Sequence, residues 1–341
     1  MAEQLHELID LLDLEQIEVN LFRGHSPDDS WQRVFGGQVI GQALVAASRT
    51  VEDVVCHSLH AYFLRPGDPS VPIVYEVDRA RDGKSFKSRR VTAIQHGKQI
   101  FNLAASFQRE EDGLAHQVEM PDVPSPEDLQ PERERRLELA EKLPEEVRDI
   151  FTRKRPVEIR HVQPLDLLAP EKTEPVQQLW FKASDAGMPK ELGIHQCVLA
   201  YMSDMTLLDT CLRPHGVNYL NPKTQIASLD HAMWFHRPFR ADDWMLYTQS
   251  SPASSAGRGL NFGHVFTRDG ARALRMTKAL RAGIVWVNTY RVVSPIAEFG
   301  GFKDSGYGRE SGMQAIYDYT RPKTAWLNIS NAPLGNPFVM R

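Results

Sequence analysis

His60–Pro66 reads HAYFLRP, and His231–Pro238 reads HAMWFHRP. Matching Arg65-Pro66 to Arg237-Pro238 sets the stretches 172 residues apart (237 minus 65), close to half of a 341-residue chain, as expected for two tandem copies of one unit. Downstream, each copy continues as a strand-like run, a Gly/Ser turn, a second run and a charged turn. Arg81–Ser85 answers to Ser254–Gly257, and His96–Lys98 to Arg268–Gly270. In the first copy Ile73–Val77, Phe86–Ile94 and Gln99–Phe107 read as strands joined by hairpin-type turns at Asp82-Gly83 and His96-Gly97, an antiparallel meander.

Upstream of these strands Val39, Ile40, Ala43, Leu44 and Ala47 recur at helical spacing behind Gly36-Gly37. The second copy repeats the order. Ile194, Val198, Tyr201, Met205 and Leu208 form a helical stripe, followed by strands around Gln225–Trp234 and Trp244–Gln249. A central helix wrapped by an antiparallel sheet, present twice, predicts an α+β fold rather than a doubly wound parallel one. Between the copies, residues 109–156 hold a Pro-rich stretch, Pro121–Pro131, and the mixed-charge run ERERRLELAEKLPEEVRDIF, read as a solvated linker with one surface helix. The repeat breaks at Ala271, where ARALRMTKALRAG reads as a helix in place of the strand QIFNLAASF of the first copy.

Composition narrows the function classes. Hydrophobic residues at 42% and charged residues at 25% are those of an ordinary globular protein, so a disordered or fibrous chain is excluded. Forty Lys and Arg against 44 Asp and Glu leave a formal charge of -4, with no electrostatic footprint for nucleic acid or an anionic membrane. No apolar run reaches the roughly 18 residues of a membrane span. The N-terminus, MAEQLHELIDLLDLEQIEV, is acidic and amphipathic rather than a signal peptide. Cys56, Cys197 and Cys211 are odd in number and lack CxxC spacing, which speaks against a disulfide framework or a zinc site. The expectation is a cytoplasmic protein.

The sequence contains no GxSxG elbow, no GxxxxGK[ST] phosphate loop and no HExxH helix. His60 and His231 fall in predicted strands without a carboxylate pattern and read as core or edge residues. Asp204 differs, because it sits three residues beyond Tyr201 and so at the margin of the second helix's apolar stripe, where a carboxylate needs partners.

Four long strings carry a family resemblance: FGGQVIGQAL (Phe35–Leu44), HSLHAYFLRPGD (His57–Asp68), RDGKSFKSRRVTAIQHGKQIF (Arg81–Phe101) and LDHAMWFHRPF (Leu229–Phe239). They resemble acyl-CoA thioesterase II over about residues 1–270. The resemblance implies a double hot-dog fold, two tandem helix-wrapped antiparallel sheets. It also implies hydrolysis of fatty acyl-CoA to fatty acid and CoA by an activated water, with no metal or redox cofactor. In that family an Asp, a Ser or Thr, and a Gln hold the water. These positions match Asp204, Ser228 and Lys278, the last a lysine where the family has glutamine. Lysine has three donors and no acceptor, so it cannot copy an amide. The helix start at Gly36-Gly37 is a source of N–H groups for the thioester oxygen. Lys84, Lys87, Arg89 and Arg90 stand where CoA phosphates could be met, with a solvated strand face the equal reading.

Residues 271–330, notably ALRAGIVWVNTYRVVSPIAEFGGFKDSGYGRESG and YDYTRPKTAWLN, resemble the C-terminal end of aldehyde dehydrogenases without matching that family's catalytic Cys and Glu. The domain reading is therefore a first hot-dog at 1–110, a charged linker at 111–156, a second hot-dog at 157–270 lacking its usual last strand, and an appended segment at 271–341. The leading expectation is an acyl-CoA thioesterase of fatty acid metabolism, acting on acyl-CoA as a homo-oligomer, with neither nucleic acid nor membrane as partner. The alternative is a catalytically impaired acyl-CoA-binding fusion protein, on account of Lys278.

Overall fold

The computed structural model describes residues 8–268, apart from 28–31, 112, 115, 144, 185–187 and 222. The chain divides into two units at Gly270/Ala271, and the architecture below is that of the first. Its strands are β1 (Glu15–Glu18), β2 (Leu21–Gly24), β3 (Val55–Phe63), β4 (Ile73–Asp82), β5 (Phe86–Gln95), β6 (Lys98–Gln108), β7 (Val157–His161), β8 (Val176–Ala183), β9 (Asp230–Trp234), β10 (Met245–Ser255) and β11 (Arg258–Thr267). The α-helices whose two ends are both described are α1 (Gly36–Ser48), α2 (Glu132–Ala140), α3 (Glu145–Thr152) and α4 (Leu192–Ser203).

Every strand pairing is antiparallel. One sheet runs β1-β2-β4-β5-β6-β3-β9 and the other β11-β10-β8-β7. The hairpins close where the turn residues predicted. His96 and Gly97, between β5 and β6, both take positive φ (50° and 68°), as a two-residue turn that matches the strand twist requires.

The core lies between the sheets and the two buried helices. Along α1 the residues from Gly37 to Leu44 are all buried, and on α4 those from His195 to Ala200. Helices this apolar all round need protein on every side. They approach closely because of glycine: a Cβ at Gly41 would stand 3.2 Å from the Cys197 carbonyl, and one at Gly37 would strike the Tyr201 carbonyl. Gly37 and Gly41 are four residues apart, as are Cys197 and Tyr201, so matching turns of the two helices face each other.

The two copies interlock through β3 and β9. Their register pairs Leu59 with Met233, His60 with Ala232, and Ala61 with His231. A two-fold relation between the copies then centres on the His60–Ala232 pair, which reproduces the offset of 172 (232 minus 60). This is the double hot-dog arrangement, α+β in class.

Three details depart from the sequence reading. The linker carries two helices, α2 and α3, rather than one. The strand read around Gln225–Trp234 starts at Asp230, not near Gln225. The helical stripe through Leu208 ends at Ser203, after which Leu207–Cys211 continues as a 3-10 turn.

Candidate active site

Asp204 is the C-terminal cap residue of α4, and its carboxylate turns inward against the start of α1. A Cβ on Gly36 would lie 2.5 Å from Asp204 Oδ2, so only glycine leaves the carboxylate room there. The Gly37 N–H donates to the Asp204 carboxylate. At a helix start such N–H groups have no partner within the helix, and the local dipole favours negative charge.

The extended segment before β9 supplies the second group. Ser228 Oγ donates to Asp204 Oδ1 at 2.9 Å. The segment is anchored by the Leu229 carbonyl, which accepts from the Phe63 N–H at 2.9 Å, and by the Ile226 carbonyl, which accepts from Arg33 at 2.6 Å. Burial pushes the Asp204 carboxyl up to about 6, against the opposing pull of the Ser228 and Gly37 hydrogen bonds. It is a base of raised proton affinity, still ionised at neutral pH.

Asp204 is held from behind. Tyr247 donates its phenol to the Ser203 carbonyl at 3.1 Å, and Ser203 Oγ meets both the Ala200 carbonyl and His231 Nε2 at 2.9 Å. His231 is buried, and its Nδ1 stands 3.9 Å from Asp204 Oδ1. The chain after Asp204 is pinned by buried amides. Gln249 donates to Thr206 Oγ1 at 2.7 Å and accepts from Gln177 and Thr210 at 2.8 and 2.9 Å.

Of the three residues named from sequence, Asp204 and Ser228 thus come together, and Lys278 lies outside the described residues. The start of α1 at Gly36-Gly37, expected as a source of N–H groups for the thioester oxygen, lies against the Asp204 carboxylate. Arg89 is also reassigned. It is 1% exposed and spends its donors on Thr50, Arg81, Ser88 and Asp82, which leaves it no reach toward a phosphate. Lys87, with Arg49 and Arg79, lines a cavity of about 280 Å³ that also holds Glu52 and Asp82. Among the described residues no cluster of His, Cys, Asp or Glu is arranged to hold a metal, and no helix is long and apolar enough to cross a membrane.

His231 is what sequence reasoning missed. The shared His-Ala dipeptide invites a match to His60, whereas the Arg-Pro offset of 172 leads to residue 59. By the register, its counterpart is Leu59, because the second copy carries one extra residue before its Arg-Pro. A one-residue slip turns a side chain to the other face of a strand. The signal lies in the differing lengths of HAYFLRP and HAMWFHRP.

Comparison with known proteins decides the family. Residues 146–279 match the model described as Acyl-CoA thioesterase, and residues 27–108 that of the Acyl-CoA thioesterase N-terminal domain. Acyl-CoA thioesterase 2 of Haemophilus influenzae is 42% identical over 271 residues, which cover 79% of this chain and 94% of that protein. The chain belongs to the acyl-CoA thioesterase family. Human acyl-coenzyme A thioesterase 8 is 43% identical over 278 residues, covering 77% of this chain and 85% of that one. The crystal structure of the acyl-CoA thioesterase II TesB2 from Mycobacterium marinum superposes with a TM-score of 0.61 at 46% identity, over 76% of this chain and 91% of that one. None of these likenesses supports the impaired alternative.

The C-terminal segment is aldehyde dehydrogenase-like, matching that family's model at residues 256–325. A (Z)-2-((N-methylformamido)methylene)-5-hydroxybutyrolactone dehydrogenase of Acinetobacter baylyi is 57% identical over 89 residues, 26% of this chain but only 18% of that enzyme. The two family matches overlap at 256–279, a span that includes Lys278.

Proposed function

We propose that this acyl-CoA thioesterase cleaves fatty acyl-CoA by a water molecule activated at Asp204, with no covalent acyl-enzyme. The observation that carries this is the buried Asp204 carboxylate joined to Ser228 at 2.9 Å. Ser228 has one proton and gives it to Asp204, so its oxygen is left to accept from the water. Asp204 takes a proton from that water as its oxygen bonds to the thioester carbonyl carbon. The tetrahedral adduct then collapses, the C–S bond breaks, and the CoA sulfur leaves with the proton returned from Asp204. The products are a carboxylic acid and the free thiol. Lys278 stands at the third family position, where its ammonium offers donors alone.

The same reading divides the chain into hot-dogs at 1–110 and 157–270, a linker at 111–156 and the appended segment at 271–341. It places the enzyme in the cytoplasm, in fatty acid metabolism, as a homo-oligomer working without metal or redox cofactor. Release of CoA thiol from acyl-CoA of graded chain length tests it. Wild-type turnover reduced at least about a hundredfold by Asp204→Asn is the expected result, the usual size for loss of a general base. A folded wild type without turnover, or an Asp204→Asn variant as fast as wild type, would overturn it.

A further inference from the structure

Along β9 the side chains of His231 and Met233 face inward, while Asp230, Ala232 and Trp234 face out. The inward place held by His231 is held in the first copy by Leu59, which is fully buried. A polar ring on the core face of a strand, where the sister copy is content with leucine, needs a reason beyond packing.

The hydrogen bonds fix its tautomer. Ser203 Oγ has a single proton and three neighbours: the Ala200 carbonyl at 2.9 Å, the Met233 sulfur at 3.3 Å and His231 Nε2 at 2.9 Å. With that proton given to the Ala200 carbonyl, Oγ is left to accept, and His231 donates from Nε2. Nδ1 then carries a lone pair, and it is this nitrogen that faces Asp204 Oδ1 at 3.9 Å. The gap is too long for a hydrogen bond, and a lone pair facing an ionised carboxylate gains nothing. Facing a protonated carboxyl, it becomes an acceptor.

We propose that His231 is a positioning residue of the catalytic centre, whose Nδ1 accepts an Oδ1–H···N hydrogen bond once Asp204 has taken the proton from water. This rests on the hydrolytic reading of Asp204. The gap closes by about 1 Å as the bond forms. No proton is lost or gained overall, since the same proton later returns through Asp204 to the leaving sulfur. The arrangement favours the protonated state of Asp204 and thereby strengthens it as a base. Burial holds the His231 imidazolium down to about 4, so the ring is neutral when Asp204 is protonated. Tyr247 from β10 is the other titratable group facing the pair, kept neutral by burial and by the Asp204 charge, while Asp230, next to His231 on β9, faces out and acts on the ring only through its charge.

The test compares His231→Gln, His231→Leu and wild type by thiol release across pH, alongside thermal unfolding. Glutamine can still donate to Ser203 Oγ, and leucine copies the sister repeat, so both variants should fold. The expected result is a kcat lowered about tenfold with KM unchanged, and an acid limb moved down by about one pH unit in both variants. Activity falling only in step with stability, with the acid limb unmoved, would overturn the proposal. Were wild type inactive at every pH, the hydrolytic reading would fail on its own, and histidine nitrogen NMR of the intact protein would judge the geometry. A bare Nδ1 whose shift follows the Asp204 titration and stops doing so in Asp204→Asn supports the pairing; a protonated Nδ1 sinks it.

Discussion

Asp204 stands at one end of a conflict between stability and chemistry. Its carboxyl is raised from 3.8 to about 6 by burial, so the folded protein binds this proton more tightly than the unfolded chain does. The stabilising contribution is therefore full below about pH 4 and is lost as pH rises through about 6. Above that, keeping the ionised group buried costs roughly 3 kcal/mol, since each pH unit by which a carboxyl is raised is worth about 1.4 kcal/mol. Asp204→Asn should raise the unfolding midpoint at pH 8 and leave it nearly unchanged at pH 4, and thermal melts at the two pH values decide the point. Hydrolysis runs the other way, falling as pH drops through about 6, because only the ionised form accepts the proton. Gly36→Ala tests the same crowding. Its methyl would press on Asp204 Oδ2, so activity should fall at least tenfold, the scale expected when a reacting group is displaced by about an ångström. At this scale the sequence was partly legible. Asp204 could be singled out because helical spacing put a charge at an apolar margin. Ser228 lies in an extended segment without periodicity, and only family likeness pointed to it. His231 escaped because the shared His-Ala dipeptide paired it with His60.

The helices and hairpins announced themselves, since their signals are local: 3.6-residue spacing in α1 and α4, and turn residues at Gly83, His96-Gly97 and Gly257. Other elements gave less. The strands β1 and β2 are four residues each, EQIE and LFRG, too short for alternation to be read. That β9 joins the sheet of the other copy is a long-range pairing between residues about 170 apart, which no local pattern encodes. The 3-10 turn after α4 is likewise set by tertiary contacts. Thr206 and Thr210 are held there by Gln249, itself bonded to Gln177 on the neighbouring strand β8. All four side chains are buried, so each hydrogen bond lost leaves an unpaired group without water to replace it. Gln249→Leu should lower stability by about 1–3 kcal/mol in denaturant unfolding and weaken hydrolysis through the loosened Asp204 turn. An unchanged midpoint would mean that the amide network is incidental to the turn.

At the level of the whole chain, two families meet. The thioesterase match ends at residue 279, whereas the aldehyde dehydrogenase match runs from 256 to 325 and represents under a fifth of such an enzyme. Among the described residues, β9 and β11 each pair along one side only, and Trp234, Leu260 and Phe262 upon them are about half exposed. Residues 271–279 lie inside the thioesterase match and are the part of the C-terminal segment on which thioester hydrolysis should depend, while residues 280–325 match only the dehydrogenase family. Two truncations separate these roles. A chain ending at Gly283 should retain thiol release within about threefold of the full protein, because it keeps the whole thioesterase match. A chain ending at Gly270 should lose it, because the cut falls inside the thioesterase match, which runs to residue 279. Full activity in the shorter chain would show that 1–270 is sufficient and that Lys278 takes no part in the chemistry. Loss of activity in both would assign a working role to residues beyond 283, which the thioesterase family match does not reach.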